Sequence, residues 1–256
     1  MPPAPKRRRS DADTAPRGNG SEEDQERLLD AFRMLFRPNP WHGVPLGKGA
    51  PHELTAYIEC APDESIKFEM DKDTGFLSVD RPHKFSSVCP TLYGFLPQTY
   101  CADEVASLAA KHLPGIVGDG DPLDICVLSS RPVNHGDLLV KCRPVGGLRM
   151  IDGGEADDKI IAVLQGDMLL GEASDLKDIP ESWLNLLRHY FLSYKMRPDD
   201  DTSRAPATVT IPEVYGVEEA HRVIAAAQAD YQAKFSGVKQ VFVDAIRSIA
   251  QAPTDE

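Results

Sequence analysis

Asp119-Gly120-Asp121-Pro122-Leu123-Asp124 places three carboxylates within six residues, directly ahead of the apolar run Ile125-Cys126-Val127-Leu128. Carboxylates so close repel one another, and a cation relieves that repulsion. Residues two apart in extended backbone share a face, so Asp119 and Asp121 can converge, with Asp124 at the mouth of the next strand. Pro122 stiffens the turn and removes a backbone donor. An EF-hand loop would need Asp or Asn at its fifth position and Gly at its sixth, where Leu123 and Asp124 stand. An aspartate-nucleophile phosphatase would put Thr or Val where Leu123 stands, behind an apolar strand that Gly115 and Gly118 weaken. Taken alone, the cluster divides evenly between a metal site and a solvated acidic turn.

A second acidic group, Asp152-Gly-Gly-Glu155-Ala-Asp157-Asp158-Lys159, follows about one hairpin downstream. Two clusters of hard oxygen donors suit Mg2+, which takes a few carboxylates together with water and phosphate oxygens. Cations accompany them. In Ile66-Lys67-Phe68-Glu69-Met70, alternation sets Lys67 and Glu69 on one face. Asp80-Arg81 closes the next strand, and Tyr194-Lys195 closes a helix. Carboxylates for metal beside Lys, Arg and Tyr for oxyanions are what phosphoryl transfer requires.

The elements that must carry these residues can be read from periodicity. Strands are expected at Thr55–Cys60, Ile66–Met70, Phe76–Val79, Ile125–Leu128, Leu138–Arg143, Leu148–Ile151 and Lys159–Leu164, with a turn at Asp73-Thr74-Gly75. A short helix is expected over Asp103–His112, and longer ones over Ser21–Phe36, Glu181–Lys195, Val217–Phe235 and Val238–Ala250, the last two broken at Gly237. Arg197–Thr210 reads as a polar, Pro-containing loop. Strands followed by helices predict an α+β fold. Residues 1–20 are expected to be a disordered basic tail, 21–53 a helix with a Pro-rich connector, and 54–256 the catalytic domain.

Composition narrows the function classes. The 256 residues carry a net charge of −12, and the tail is basic, so the body is more acidic still. That argues against duplex nucleic acid as a partner. No apolar run reaches the length of a membrane span. Five cysteines without a C-x-x-C pair disfavour a disulfide framework and a zinc ribbon, and point to the cytoplasm.

Several motifs taken together resemble the Mg2+-dependent family I soluble inorganic pyrophosphatases. The signature D-x-D-P-[apolar]-D-[apolar] matches Asp119 through Ile125. Around it, in family order, stand Tyr57-Ile58-Glu59, Ile66-Lys67-Phe68-Glu69, Val79-Asp80-Arg81, Tyr93-Gly94-Phe95, Arg143-Pro144-Val145-Gly146, Asp152 to Lys159, and Tyr194-Lys195. The resemblance spans roughly residues 54–200. It implies an OB-like five-stranded β-barrel with flanking helices, and hydrolysis of pyrophosphate without a covalent intermediate. It also implies that Asp119, Asp124 and Asp157 hold activating metals, joined by Asp152 when substrate arrives. Asp121 is then the general base. Lys67, Arg81, Tyr93, Lys159, Tyr194 and Lys195 contact phosphate, and Glu59 and Glu69 orient water and cations. Several Mg2+ ions per site are implied, with Mn2+ as a substitute, and a homo-oligomer.

The chain departs from the family pattern at Cys89, where a tyrosine is common, and at Gly153, where an acid is common. Cys89 reads as a small apolar substitute, and Glu155 is a candidate to replace the missing acid. Gln98–Gly118 is longer than in the simplest bacterial forms. Two other readings are a metal-dependent phosphohydrolase of nucleotides or polyphosphate, and a catalytically silent homologue that binds a partner. The silent reading predicts lost carboxylates, yet Asp119, Asp121, Asp124, Asp152 and Asp157 are all present.

Overall fold

The computed structural model describes residues 37–196 and 209–250. The tail 1–20 and the helix expected over Ser21–Phe36 lie outside them. The elements in chain order are β1 (Leu54–Cys60), β2 (Ile66–Met70), β3 (Leu77–Pro82), β4 (Leu92–Phe95), α1 (Asp103–Ala109), β5 (Val117–Gly118), β6 (Asp124–Leu128), β7 (Leu138–Asp152), β8 (Glu155–Ala156), β9 (Lys159–Leu164), α2 (Glu181–Ser193), β10 (Val209–Gly216) and α3 (Val217–Ala250). Residues 37–241 form one compact unit. Residues 242–250, taken by themselves, are helical.

Five strands close on themselves. β1 pairs β4, β4 pairs β6, β6 pairs β9, β9 pairs β7, and β7 returns to β1. This ring is the expected OB-like barrel. A closed ring leaves no barrel strand with an unpaired edge. β2 and β3 form a separate two-stranded ribbon.

Strand alternation divides the core in two. Along β6 and β9, Ile125, Val127, Ile160 and Ala162 enter one apolar cluster. Cys126, Leu128, Ile161 and Val163 enter another. Both faces are therefore buried, which is why these strands read as continuous apolar runs. The first cluster draws on all five barrel strands and is covered by Val105, Ala106 and Ala109 of α1 and by Ala220, Val223, Ile224 and Ala227 of α3. The second is covered by Leu187, Tyr190 and Phe191 of α2.

Several expectations need correction. Leu138–Arg143 and Leu148–Ile151 are one 15-residue strand, β7. Pro144 and the two following glycines hide it, because Pro144 lies at a register shift. Gly147 is needed there: a Cβ would come within 2.5 Å of the Tyr215 ring of β10. Val209 and Thr210 belong to strand β10 rather than a loop, and 197–208 lie outside the described residues. Pro212 masks β10, yet it too falls at a register shift on a strand paired only with β7. β4 was hidden by Gly94, whose missing side chain lets β1 approach; a Cβ there would sit 1.9 Å from the Tyr57 carbonyl oxygen. α3 runs without a break through Gly237.

Candidate active site

The ends of these elements meet around a cavity of about 530 Å3. Every residue proposed from sequence lines it: Glu59, Lys67, Glu69, Arg81, Tyr93, Asp119, Asp121, Asp124, Asp152, Asp157, Lys159, Tyr194 and Lys195. Residues up to 136 apart in the chain thus share one wall, as the paired acid and cation sets anticipate.

Strand register sets the centre. Asp124 opens β6 and Lys159 opens β9, and the two are direct partners in that parallel pair. The Lys159 ammonium donates to Asp124 Oδ2 at 2.5 Å and to Asp157. Tyr93, on the neighbouring β4, donates its hydroxyl to the same Asp124 oxygen at 2.5 Å. Lys159 is buried, with its ammonium 5.7 Å from the Phe191 ring centroid. Burial pushes its pKa down, but Asp124 and Asp157 outweigh this and hold it well above the usual lysine value. Burial and Asp124 likewise hold the Tyr93 phenol far above its ordinary range, so it stays protonated.

The 119–123 loop is held chiefly through its backbone groups. Cys101 N donates to Asp121 O at 2.8 Å, Gly120 N to Cys101 O at 3.0 Å, and Leu96 N to Leu123 O at 2.9 Å. Leu123 N donates to the buried Thr99 hydroxyl at 2.9 Å. Within the loop, Asp121 N donates to Asp119 Oδ1 at 2.9 Å. The bracing segment is itself fixed by Asp230 of α3, whose carboxylate accepts from the backbone of Ala102, Glu104 and Val105 at 2.9–3.1 Å. It caps α1, which lacks a cap of its own. The Gln98–Gly118 segment therefore serves as the mount for the acidic loop.

The ribbon supplies cations. A register shift between Lys67 and Phe68 leaves Asp80 as the extra residue of β3. Its carboxylate accepts from Lys67 at 3.0 Å and from Arg81 at 2.5 Å. Lys67 also donates to Glu69 at 2.7 Å. On the barrel side, Glu59 is buried and accepts from Met70 N at 2.7 Å. Burial pushes its pKa up to about 8. At the end of β7, Asp152 accepts from Lys195, which follows α2.

Sequence reasoning missed Lys72 and Lys84, which also line the cavity. Lys72 follows β2 and pairs with Asp121 across the opening. Its place beside the Asp73-Thr74-Gly75 turn was the available signal. Lys84 carries none. Gly153 adopts φ +60° and Gly154 φ +101°, so the turn from β7 to β8 favours glycine. Glu155 faces Asp152 in register across that turn and lines the cavity, where the family's acid is missing. Cys89 is buried in the second apolar cluster and donates to the Thr91 carbonyl at 3.3 Å, in keeping with a small apolar substitute.

The carboxylates fit a divalent cation chemically. Asp124 and Asp157 share Lys159, Asp152 has Lys195, and Asp121 has Lys72. Asp119 has no cationic partner among the described residues. Burial, then the charge of Asp157, push its pKa up to about 8. Its ionised form is thus costly chiefly through burial, and a cation would relieve that cost. As they stand, no three acid, histidine or cysteine side chains among the described residues surround one point as ligands. Lysine ammoniums neutralise most of them instead.

The comparisons with known proteins agree. The sequence profile of the family described as inorganic pyrophosphatase matches residues 56–232. The inorganic pyrophosphatase of Chlamydia muridarum is 48% identical over 195 residues, covering 75% of this chain and 93% of that one. The crystal structure of inorganic pyrophosphatase from Thermus thermophilus superposes with a TM-score of 0.62 at 29% identity, covering 76% of this chain and 99% of that one. The type I inorganic pyrophosphatase from Toxoplasma gondii gives a TM-score of 0.60 at 26% identity, covering 78% and 89%.

Proposed function

The chain belongs to the inorganic pyrophosphatase family and hydrolyses pyrophosphate, and on that premise we propose that the cavity between the barrel, the ribbon and α2 is where it does so. The observation that carries this reading is the convergence of the two acidic clusters and the cationic set on one cavity.

Asp119, Asp124 and Asp157 would hold activating divalent cations, Mg2+ by the hardness of the donors, with Asp152 joining as substrate arrives. When bound, such cations lower the pKa of a water toward neutrality and screen phosphate charge. Asp121 accepts the proton of the attacking water. It is suited to this because its carboxylate is half exposed and, among the described residues, pairs with Lys72 alone. Lys67, Arg81, Tyr93, Tyr194 and Lys195 donate to the phosphate oxygens, and the cations among them offset charge moving onto the leaving phosphate. Lys159 has a double part. It neutralises Asp124 and Asp157 in the present arrangement, and with cations on those carboxylates its ammonium would be available to phosphate. Glu59 and Glu69 orient water, Glu59 from a buried position fixed by Met70 N. The free, buried cysteines support a reducing compartment, and we assign the enzyme to the cytoplasm as a homo-oligomer. No helix among the described residues is long and apolar enough to cross a membrane.

The test is phosphate release from pyrophosphate with Mg2+, beside ATP, an aryl phosphate and an EDTA control. Fast, EDTA-sensitive release from pyrophosphate alone is expected. Release mainly from ATP would overturn the substrate assignment, and release insensitive to EDTA the metal assignment.

A further inference from the structure

Arg149 and Asp158 form an ion pair for which the reaction described above has no use. Both side chains are fully enclosed, and Arg149 Nη1 donates to Asp158 Oδ2 at 2.6 Å. The Tyr215 hydroxyl of β10 donates to the same oxygen at 3.0 Å. The guanidinium lies over the Tyr215 ring, 4.9 Å from its centroid, and donates a second N–H to Glu219 in the first turn of α3. Its Nε faces Glu213 at 3.8 Å, and Glu213 also bonds His112, just beyond α1, at 3.0 Å. Side chains from β10, α3 and the exit of α1 thus gather around the Arg149 guanidinium of β7, which with Tyr215 holds one carboxylate, that of Asp158.

That carboxylate sits between two residues of the site. Neighbours in extended chain point to opposite sides. Asp157 and Lys159 line the cavity, while Asp158 turns away into the charged network. Backbone rotation at 157–159 would move all three together. A buried ion pair is a weak source of net stability. Here Arg149 Nε and Asp158 Oδ1 also have no hydrogen-bond partner among the described residues, which weakens it further. What the pair does supply is a fixed geometry for the segment.

We propose that Arg149, acting through Asp158, is a positioning residue that holds Asp157 and Lys159 in place to bind cation and phosphate. The proposal rests on the reading of this cavity as a divalent-cation site. Groups that orient metal ligands from behind typically change metal affinity by roughly 10- to 100-fold when removed.

The test is calorimetric titration of Mg2+ into the substrate-free full chain, with Tm measured for each variant. Asp158→Asn and Arg149→Met are expected to raise the cation Kd by roughly 10- to 100-fold. Arg149→Lys should recover part of that, and Tyr215→Phe should raise Kd by only a few-fold. Asp167→Ala, on a distant loop, should lower Tm and leave Kd unchanged. Variants of Arg149 and Asp158 with the wild-type Kd, however far Tm falls, would overturn the proposal. If the larger substitutions do not fold, Arg149→Lys and Tyr215→Phe make the same comparison, and a wild-type Kd in both overturns it. A wild-type chain that binds no divalent cation would instead overturn the metal reading beneath it.

Discussion

At the residue scale, the three aspartates of one six-residue loop face different surroundings. Asp119 is half-buried without a cationic partner among the described residues, Asp124 is bonded to Tyr93 and Lys159, and Asp121 is half exposed beside Lys72. Only Asp121 combines access to solvent with freedom from the other acids, which suits a base and not a ligand. Asp121→Asn is expected to lower kcat by roughly 10^2- to 10^4-fold. Tm should stay near wild type, because the Lys72 pair is exposed and such pairs add little. Phosphate release at near wild-type rate from that variant would remove Asp121 from the role. Asp167 makes a different case, a carboxylate whose function is structural. Burial is the largest single influence and raises its pKa, but the backbone N–H donors of Leu170, Ser130 and Leu169 together outweigh it and bring it to about 2. A depressed folded pKa gives stability that is present above the unfolded carboxylate range and lost as pH falls through about 2. Asp167→Ala should therefore cost about 1 kcal/mol at pH 7, through the hydrogen bonds it loses. In urea titrations that gap should narrow between pH 4 and pH 2; a gap independent of pH would mean the turn's hydrogen bonds hold without the charge.

At the element scale, the legible strands were those with an uninterrupted pattern. Ile66–Met70 and Lys159–Leu164 are predicted to the residue, because alternation or burial on both faces leaves a clear signal. β4, the middle of β7 and β10 are not, because Gly94, Pro144-Val145-Gly146-Gly147 and Pro212 weaken strand propensity while serving close approach or a register shift. The site was more legible than its frame. Asp119 through Asp124, Lys67-Phe68-Glu69 and Asp157 through Lys159 are local motifs that survive in sequence. Asp230 is not local: it acts on α1 from 125 to 128 residues away, and no pattern announces it. Its capping also mounts the acidic loop, since the segment it fixes bonds Asp121 and Gly120 through Cys101. Asp230→Ala would leave three backbone donors without their acceptor, at a cost of about 1–3 kcal/mol in chemical denaturation. It should also weaken Mg2+ binding. A loss of stability with unchanged Mg2+ affinity would mean that the loop keeps its shape without α1.

At the scale of the whole molecule, an acidic protein binds an anionic substrate, and cations reconcile the two. The chain carries −12, and its site adds Asp119, without a cationic partner among the described residues, to carboxylates already matched by lysines. A cation bound only by the folded state stabilises it by about 2.7 kcal/mol at 100 times its Kd. For a chain of this size that is a rise in Tm of about 5–10 °C. The rise separates the roles that mutation of activity alone would blur. Asp119→Asn and Asp124→Asn should lose both the Mg2+-dependent rise and the activity. Asp121→Asn should lose activity and keep the rise, because a base is not needed to hold the metal. Melting curves with and without Mg2+ for the three variants make the comparison. Equal rises in all three would place the cations on other carboxylates, and a lost rise in Asp121→Asn would make that residue a ligand as well as, or instead of, a base.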